Sequence, residues 1–262
     1  RDAEGKPAPH AIVNLSSAAG GESGQMQPLA DGSFAFHGLP PGRYQLEAQD
    51  YLAASDLVSV EVSETPATDA VTLTLSPITV LLGDVFSPAG PVAGARVDAV
   101  ATDREQMSII PATTDLTGEF ESLLAPGTKH VAVTVAPPGF AYKMFSIDVQ
   151  PKKLRVPVSQ EGGTLVMGDP PPQHDWWIAR NGAEASVGLL LSTWGGGRTM
   201  VDGKPRIEVP MMEPGAYTLC AVRPDEGVAF VRGVLPQGRC VSGYLAPFGT
   251  LALELPRDVA SR

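Results

Sequence analysis

Along this chain, short runs of alternating apolar and polar residues are separated by turns rich in glycine and proline. The clearest run is Asp31–Ala48, DGSFAFHGLPPGRYQLEA. Asp31-Gly32 makes a turn, and Phe34 and Phe36 then alternate with Ser33, Ala35 and His37. Gly38–Gly42 is a rigid corner, after which Tyr44, Leu46 and Ala48 alternate with Arg43, Gln45 and Glu47. A period of two marks a strand with one buried face, so the stretch predicts two antiparallel strands joined at a Gly/Pro corner. Two weaker copies follow. Thr117-Gly118-Glu119-Phe120 precedes Ala125-Pro126-Gly127, and Asp202-Gly203 precedes Glu213-Pro214-Gly215. The turn and corner glycines stand 10, 9 and 12 positions apart in the three copies. The pattern predicts three copies of one β-module, over residues 1–76, 77–160 and 161–262.

Each module offers six or seven short strands. In the first these include PHAIVNL (Pro9–Leu15), LVSVEV (Leu57–Val62) and AVTLTL (Ala70–Leu75), with Ser16–Gly24 as a loop and Ser63–Asp69 as a turn. In the second they include ITVLLGDV (Ile78–Val85), ARVDAVA (Ala95–Ala101), FSIDV (Phe145–Val149) and LRVPV (Leu154–Val158). In the third, Trp176-Trp177-Ile178 and Ser186–Leu191 flank Asn181-Gly182, a hairpin signal. Val228–Val231, Arg239–Tyr244 and Thr250–Leu255 complete it. The expected fold class is all-β: three tandem Ig-like or prealbumin-like antiparallel β-sandwiches with no helix beyond a turn or two. Short Pro- and Gly-bearing junctions at Pro77 and Gly162-Gly163 predict stiff joints.

Composition sharpens this. With 25 prolines and 28 glycines in 262 residues, long helices are disfavoured. The net charge is −10, and by count −7 of it falls in residues 1–76, −1 in 77–160 and −2 in 161–262. Such a surface is a poor match for phosphate backbones, so nucleic acid is not an expected partner. No apolar run approaches the roughly 20 residues that cross a bilayer, so no membrane insertion is expected within the chain. Arg1–Pro7 resembles the turn that follows a first strand, and the expectation is a piece of a longer protein.

Candidate chemistry is sparse. His10, His37, His130 and His174 lie far apart, without metal-ligand spacing to cysteine or carboxylate. Asp31, Asp115 and Asp202 recur beside turns, where they cap backbone groups more readily than they gather a cation. There is no nucleophile elbow, zinc-protease motif, phosphate loop or dinucleotide fingerprint. The expectation is no catalytic residue, no metal and no cofactor. Cys220 and Cys240 are the only cysteines. Cys220 is out of phase with Tyr217, Leu219 and Ala221, so it should point off the core face. Two isolated cysteines can be buried thiols, but an outward cysteine with a partner on a neighbouring strand favours a disulfide, which would imply an oxidising, extracytoplasmic location. All three tryptophans, Trp176, Trp177 and Trp194, lie in the third module. Adjacent strand residues face opposite ways. One of Trp176 and Trp177 is therefore expected in the core, and the other either exposed, where it could stack on a sugar ring, or buried against the second module.

Two stretches carry a family resemblance. Gly83–Val97 (GDVFSPAGPVAGARV) is similar to the opening of carboxypeptidase regulatory-like domains, and Asp31–Tyr44 resembles their central hairpin. That resemblance implies a seven-stranded transthyretin-like sandwich, and it covers about the first two modules plus the corner of the third. Such domains serve as spacers or adhesion modules appended to peptidases, receptors and secreted proteins. A related group, the collagen-adhesin B-type repeats, carries a lysine–asparagine crosslink from the opening strand. Ile78–Val85 has no lysine, so no such crosslink is expected. The expected function is a non-enzymatic spacer, adhesion or protein-interaction module. The alternatives are a carbohydrate-binding module using Trp176, Trp177 or Trp194, binding a polysaccharide partner, and an accessory region of an enzyme such as a peptidase.

Overall fold

The computed structural model describes the chain except residues 18–22, 64–69, 104–108, 169–173, 182–186, 191–196, 202–203, 224–225, 227–234 and 256–262. The protein is an all-β, antiparallel β-sandwich protein, and no α-helix occurs among the described residues. It divides into two compact units. The first is Arg1–Thr79 with Ala125–Gly127, and the second is Val80–Leu124 with Thr128–Arg262.

The first unit holds β1 (Ile12–Ser17), β2 (Ser23–Met26), β3 (Gly42–Asp50), β4 (Ala53–Ala54), β5 (Val58–Val62) and β6 (Ser76–Pro77). They form one sheet in which β2, β1, β3 and β5 lie side by side, with β4 and β6 extending one end. Val13 and Leu15 of β1 and Tyr44, Leu46 and Ala48 of β3 face the core, as their alternation requires. Leu73 and Leu75 bury against them, and Phe34 and Phe36 pack on the same cluster.

In chain order the second unit holds β7 (Thr79–Ser87), β8 (Gly90–Pro91), β9 (Arg96–Ala101), β10 (Ile109–Thr113), β11 (Glu119–Leu124), β12 (His130–Ala136), β13 (Lys143–Asp148), β14 (Leu154–Pro157), β15 (Gly163–Gly168), β16 (Asp175–Asn181), β17 (Val187–Leu190), β18 (Gly197–Val201), β19 (Lys204–Met212), β20 (Gly215–Val222), β21 (Cys240–Leu245) and β22 (Thr250–Leu253). These make four sheets: β11-β7-β14 with β8, β10-β9-β12-β13, β18-β19-β15-β22, and β17-β16-β20-β21. The same wiring occurs twice. The first strand of each sheet pair runs parallel to the last, β7 with β14 and β15 with β22, and the other ladders with described registers are antiparallel. The four-strand order β10-β9-β12-β13 matches β17-β16-β20-β21, and β2-β1-β3-β5 of the first unit has it too.

The Gly/Pro corner is not a hairpin. β3 pairs with β1 and β5, and Ser33–His37 belongs to no ladder. In the second unit the strands before and after each corner, β11 and β12, then β19 and β20, lie in different sheets. The corner therefore carries the chain across the sandwich. Its several glycines and prolines turn the backbone without the tight two-residue geometry that pairs hairpin strands. Two tyrosines brace it: Tyr44 Oη donates to Pro40 O at 3.0 Å, and Tyr217 Oη donates to Glu213 O, four residues back in both cases. A second difference is β2, which occupies part of the expected Ser16–Gly24 loop. The Ser63–Asp69 turn, Asn181-Gly182, Asp202-Gly203 and the strand expected over Val228–Val231 lie wholly or partly outside the described residues.

Candidate functional site

The burial pattern of the second unit departs from one-sided sheets. In β9, Val97 to Ala101 are all buried, and in β12 so are Val131 to Val135. Their sequences, VDAVA and VAVTV, are apolar or small at nearly every position, which marks a strand covered on both faces. Val97, Ala99, Val131, Val133 and Val135 fill the core between the first two sheets. On the opposite face, Val100, Ala132 and Met144 join one continuous cluster with Leu165, Met167, Ile178, Val209, Tyr217 and Leu219 of the last two sheets. β17 comes up against β12 and β13 at this place. The expected boundary near residue 160 is thus not a break in packing, because residues on either side of it share a core.

A polar clasp closes one end of that joint. Arg180, at the end of β16, donates to the Glu213 carboxylate, to Pro214 O at 3.2 Å and to Met144 O at 3.4 Å. Lys143 lies 3.7 Å from the same carboxylate and donates to Pro157 O at 2.9 Å. Backbone bonds run alongside: Tyr142 N donates to Met211 O, and Glu213 N to Tyr142 O at 3.0 Å. Met211 turns its carbonyl to Tyr142 by adopting φ 59°, a left-handed conformation that costs a residue with a side chain about 1 kcal/mol. Gly162 is required here, since a Cβ on it would sit 2.7 Å from Met211 Cα. Burial pushes the Tyr217 phenol above its ordinary range, so it remains a donor to Glu213 O.

Both indoles are packed. Trp176 is 5% exposed and Trp177 6%. They do face opposite ways. Trp176 shares a face with Ile178 and Leu219 and donates its Nε1–H to Gly168 O at 2.6 Å, whereas Trp177 lies opposite Cys220. Of the two alternatives for the second indole, exposure as a stacking surface or burial, the structure has burial, and neither ring is open to solvent. Trp194 lies outside the described residues. Cys220 and Cys240 face each other across β20 and β21 and are disulfide-bonded. Cys220 is on the face opposite Tyr217, Leu219 and Ala221, as its phase requires, yet that face too is closed and Cys220 is fully buried. The runs WWIA and TLCAV carried the signal for this, since a one-sided strand would interleave polar residues.

The remaining polar residues are engaged locally. Asp31 Oδ1 accepts from Ser33 Oγ and N, and Asp115 Oδ1 from Thr117 Oγ1, Thr117 N and Glu119 N. The hydroxyl bonds above all hold both carboxyls below the usual range. Asp202 is outside the described residues. His130 pairs with Asp148, and His10 and His37 are exposed on the surface. Among the described residues no three histidines, cysteines or carboxylates gather as a metal site. A shallow depression in the second unit is lined by Asp84, Phe86, Pro88, Pro91, Thr117 and Arg155. Its guanidinium stacks 4.3 Å from the Phe86 ring centre and bonds Asp84 at 3.2 Å, so its charge is already used.

No family model matches the chain, and no curated relative does. Solved structures that match parts of the chain include the Bacillus anthracis TIE protein, at 14% identity and TM-score 0.28, covering 97% of this chain and 48% of that one. The chain thus spans about half the length of that protein. A Streptococcal ancillary pilin is 11% identical with TM-score 0.29, covering 96% and 94% of the two chains. BcpA, the major pilin subunit of Bacillus cereus, is 11% identical with TM-score 0.22, covering 97% and 96%.

Proposed function

We propose that the chain is a non-enzymatic structural module of three transthyretin-like sandwiches, over residues 1–76, 77–160 and 161–262, working outside the cytoplasm as a spacer or protein-adhesion segment. The three-fold recurrence of the four-strand order supports the module count, together with the repeated parallel pairing of first and last strands. The carboxypeptidase regulatory-like assignment rests on the Gly83–Val97 and Asp31–Tyr44 motifs. The buried disulfide favours an oxidising compartment.

The observation that carries the reading is the shared core between the second and third sandwiches. Separate beads on a string bury nothing in common. Here Val100, Ala132 and Met144 are almost wholly withdrawn from water by the neighbouring sheets, and Arg180, Glu213 and Lys143 clasp the edge. A spacer that transmits position or load needs such a joint. Single-molecule stretching tests this. Residues 80–262 are expected to give way in one event. Two separate events, one for each sandwich, would refute the fused joint and with it the load-bearing reading.

A further inference from the structure

The β3–β4 hairpin ends in two residues that its turn does not call for. Asp50 pairs with Ala53, so Tyr51 and Leu52 form the loop between the strands. Two-residue loops favour asparagine and glycine, which accept left-handed backbone. Neither Tyr51 nor Leu52 takes positive φ, and Asp50 Oδ1 accepts from Tyr51 N at 2.7 Å. Nor do these side chains pack on their own sandwich: Tyr51 is 88% exposed and Leu52 57%. Asp50 and Asp56 flank them, and both are exposed. Between Lys6 and Arg96 the only lysine or arginine is Arg43. The tip is thus an aromatic and an aliphatic side chain held out in water among carboxylates.

The second unit carries a surface of matching chemistry. The depression lined by Phe86, Pro88, Pro91 and Thr117, and by the Arg155–Asp84 pair, holds about 250 Å³. Leu116, beside Thr117, is 92% exposed, and Leu82, in phase with Asp84 and Phe86 along β7, is exposed as well. Next to these apolar residues Lys152, Lys153 and Arg155 place three cations in four positions. Glu119 holds Lys153 and Asp84 holds Arg155, which leaves the run a surplus of one positive charge. Residues 1–76 carry −7, against −1 and −2 in the two later stretches. An acidic tip is therefore repelled by the first unit of another copy and far less by the second.

We propose that the hairpin tip of one chain docks on the second unit of another copy, with Tyr51 seated among Phe86, Pro88 and Pro91 and with Asp50 and Asp56 beside the run from Lys152 to Arg155. A tyrosine suits such a seat, because its ring gains from apolar surroundings while its hydroxyl keeps a polar neighbour, here Thr117 or the Arg155–Asp84 pair. Tip and seat are different surfaces, so the contact is head-to-tail and can add further copies. One anchor of this size buries far less than the roughly 1,200 Å² at the low end of stable interfaces, so the dissociation constant is expected on the order of 100 µM or weaker. This inference is independent of the spacer reading.

Sedimentation velocity and crosslinking test it. At about 0.15 M salt, where repulsion between the acidic molecules is screened beyond about 8 Å, the mass of the chain is expected to rise between roughly 10 and roughly 500 µM. Tyr51→Ser and Pro88→Glu each alter an exposed side chain, and an unchanged thermal melt shows that both variants are folded. Each is expected to weaken association at least roughly 10-fold. Crosslinking locates the contact. Cys220 and Cys240 are bonded to each other, so a cysteine introduced elsewhere is the only free thiol. Mixed Tyr51→Cys and Pro88→Cys chains, treated with a short bifunctional maleimide, are expected to give the mixed pair in at least roughly 10-fold excess over either like pair. A chain that stays monomeric at the highest concentration would overturn the docking, as would association that either folded variant leaves intact. Tyr51→Cys pairs as abundant as mixed pairs would overturn the seat on the second unit.

Discussion

Glu226 holds two guanidinium groups at once. Arg239 donates to its two oxygens at 2.9 and 2.6 Å, and Arg223 adds a side-chain and a backbone bond, each at 3.0 Å. The Arg239 bonds above all lower the carboxyl from its ordinary 4.5 to about 2. A carboxyl depressed in the folded state contributes stability that is complete above its unfolded value and is lost as pH falls through the folded one. Denaturant melts are therefore expected to show stability falling between about pH 4.5 and 2, with Glu226→Gln flattening that slope. An unchanged slope in the variant would remove Glu226 from the acid response. At this scale the sequence is informative where a side chain acts on its own neighbours. The Asp31 and Asp115 turns are legible because the bonded residues lie two to four positions away. Glu226 is not, since its main partner is 13 residues on.

The disulfide ties β20 to β21, the outer strand of the sheet that carries both described tryptophans. It closes a loop spanning 20 positions. In the chain-entropy account, opening such a loop costs about 3 kcal/mol. The Cys220→Ala, Cys240→Ala double variant is expected to lose about that much by urea denaturation, and a loss under 1 kcal/mol would mean that the sheet does not depend on the link. Strand positions are largely readable from alternation, as Tyr44, Leu46 and Ala48 show. Strand partners are not. A strand facing its predecessor across a sandwich and a strand paired beside it bury the same alternate residues, so Asp31–Ala48 looks the same either way until the ladders are known.

At the scale of the whole molecule, local pattern has least to say. The HVAVTVA run of β12 and the WWIA run of β16 announce two covered faces, but nothing local names the cover. The shared core predicts an effect that crosses the expected boundary at residue 160. Met144→Ala, in β13, is expected to cost about 2–4 kcal/mol. It should also lower the midpoint of fluorescence-monitored unfolding, although every tryptophan is in residues 161–262. An unshifted midpoint would show that the two sandwiches melt independently.

The pairing of first strand with last sets an order of events. β15 cannot find its parallel neighbour until β22 exists, and β7 waits in the same way for β14. Contacts so distant along the chain form late and slowly. A chain emerging from a ribosome or a secretion pore keeps each sandwich open until its closing strand appears, so stalls just before Leu154 or Thr250 are the moments when bare strand edges are most prone to capture by other chains.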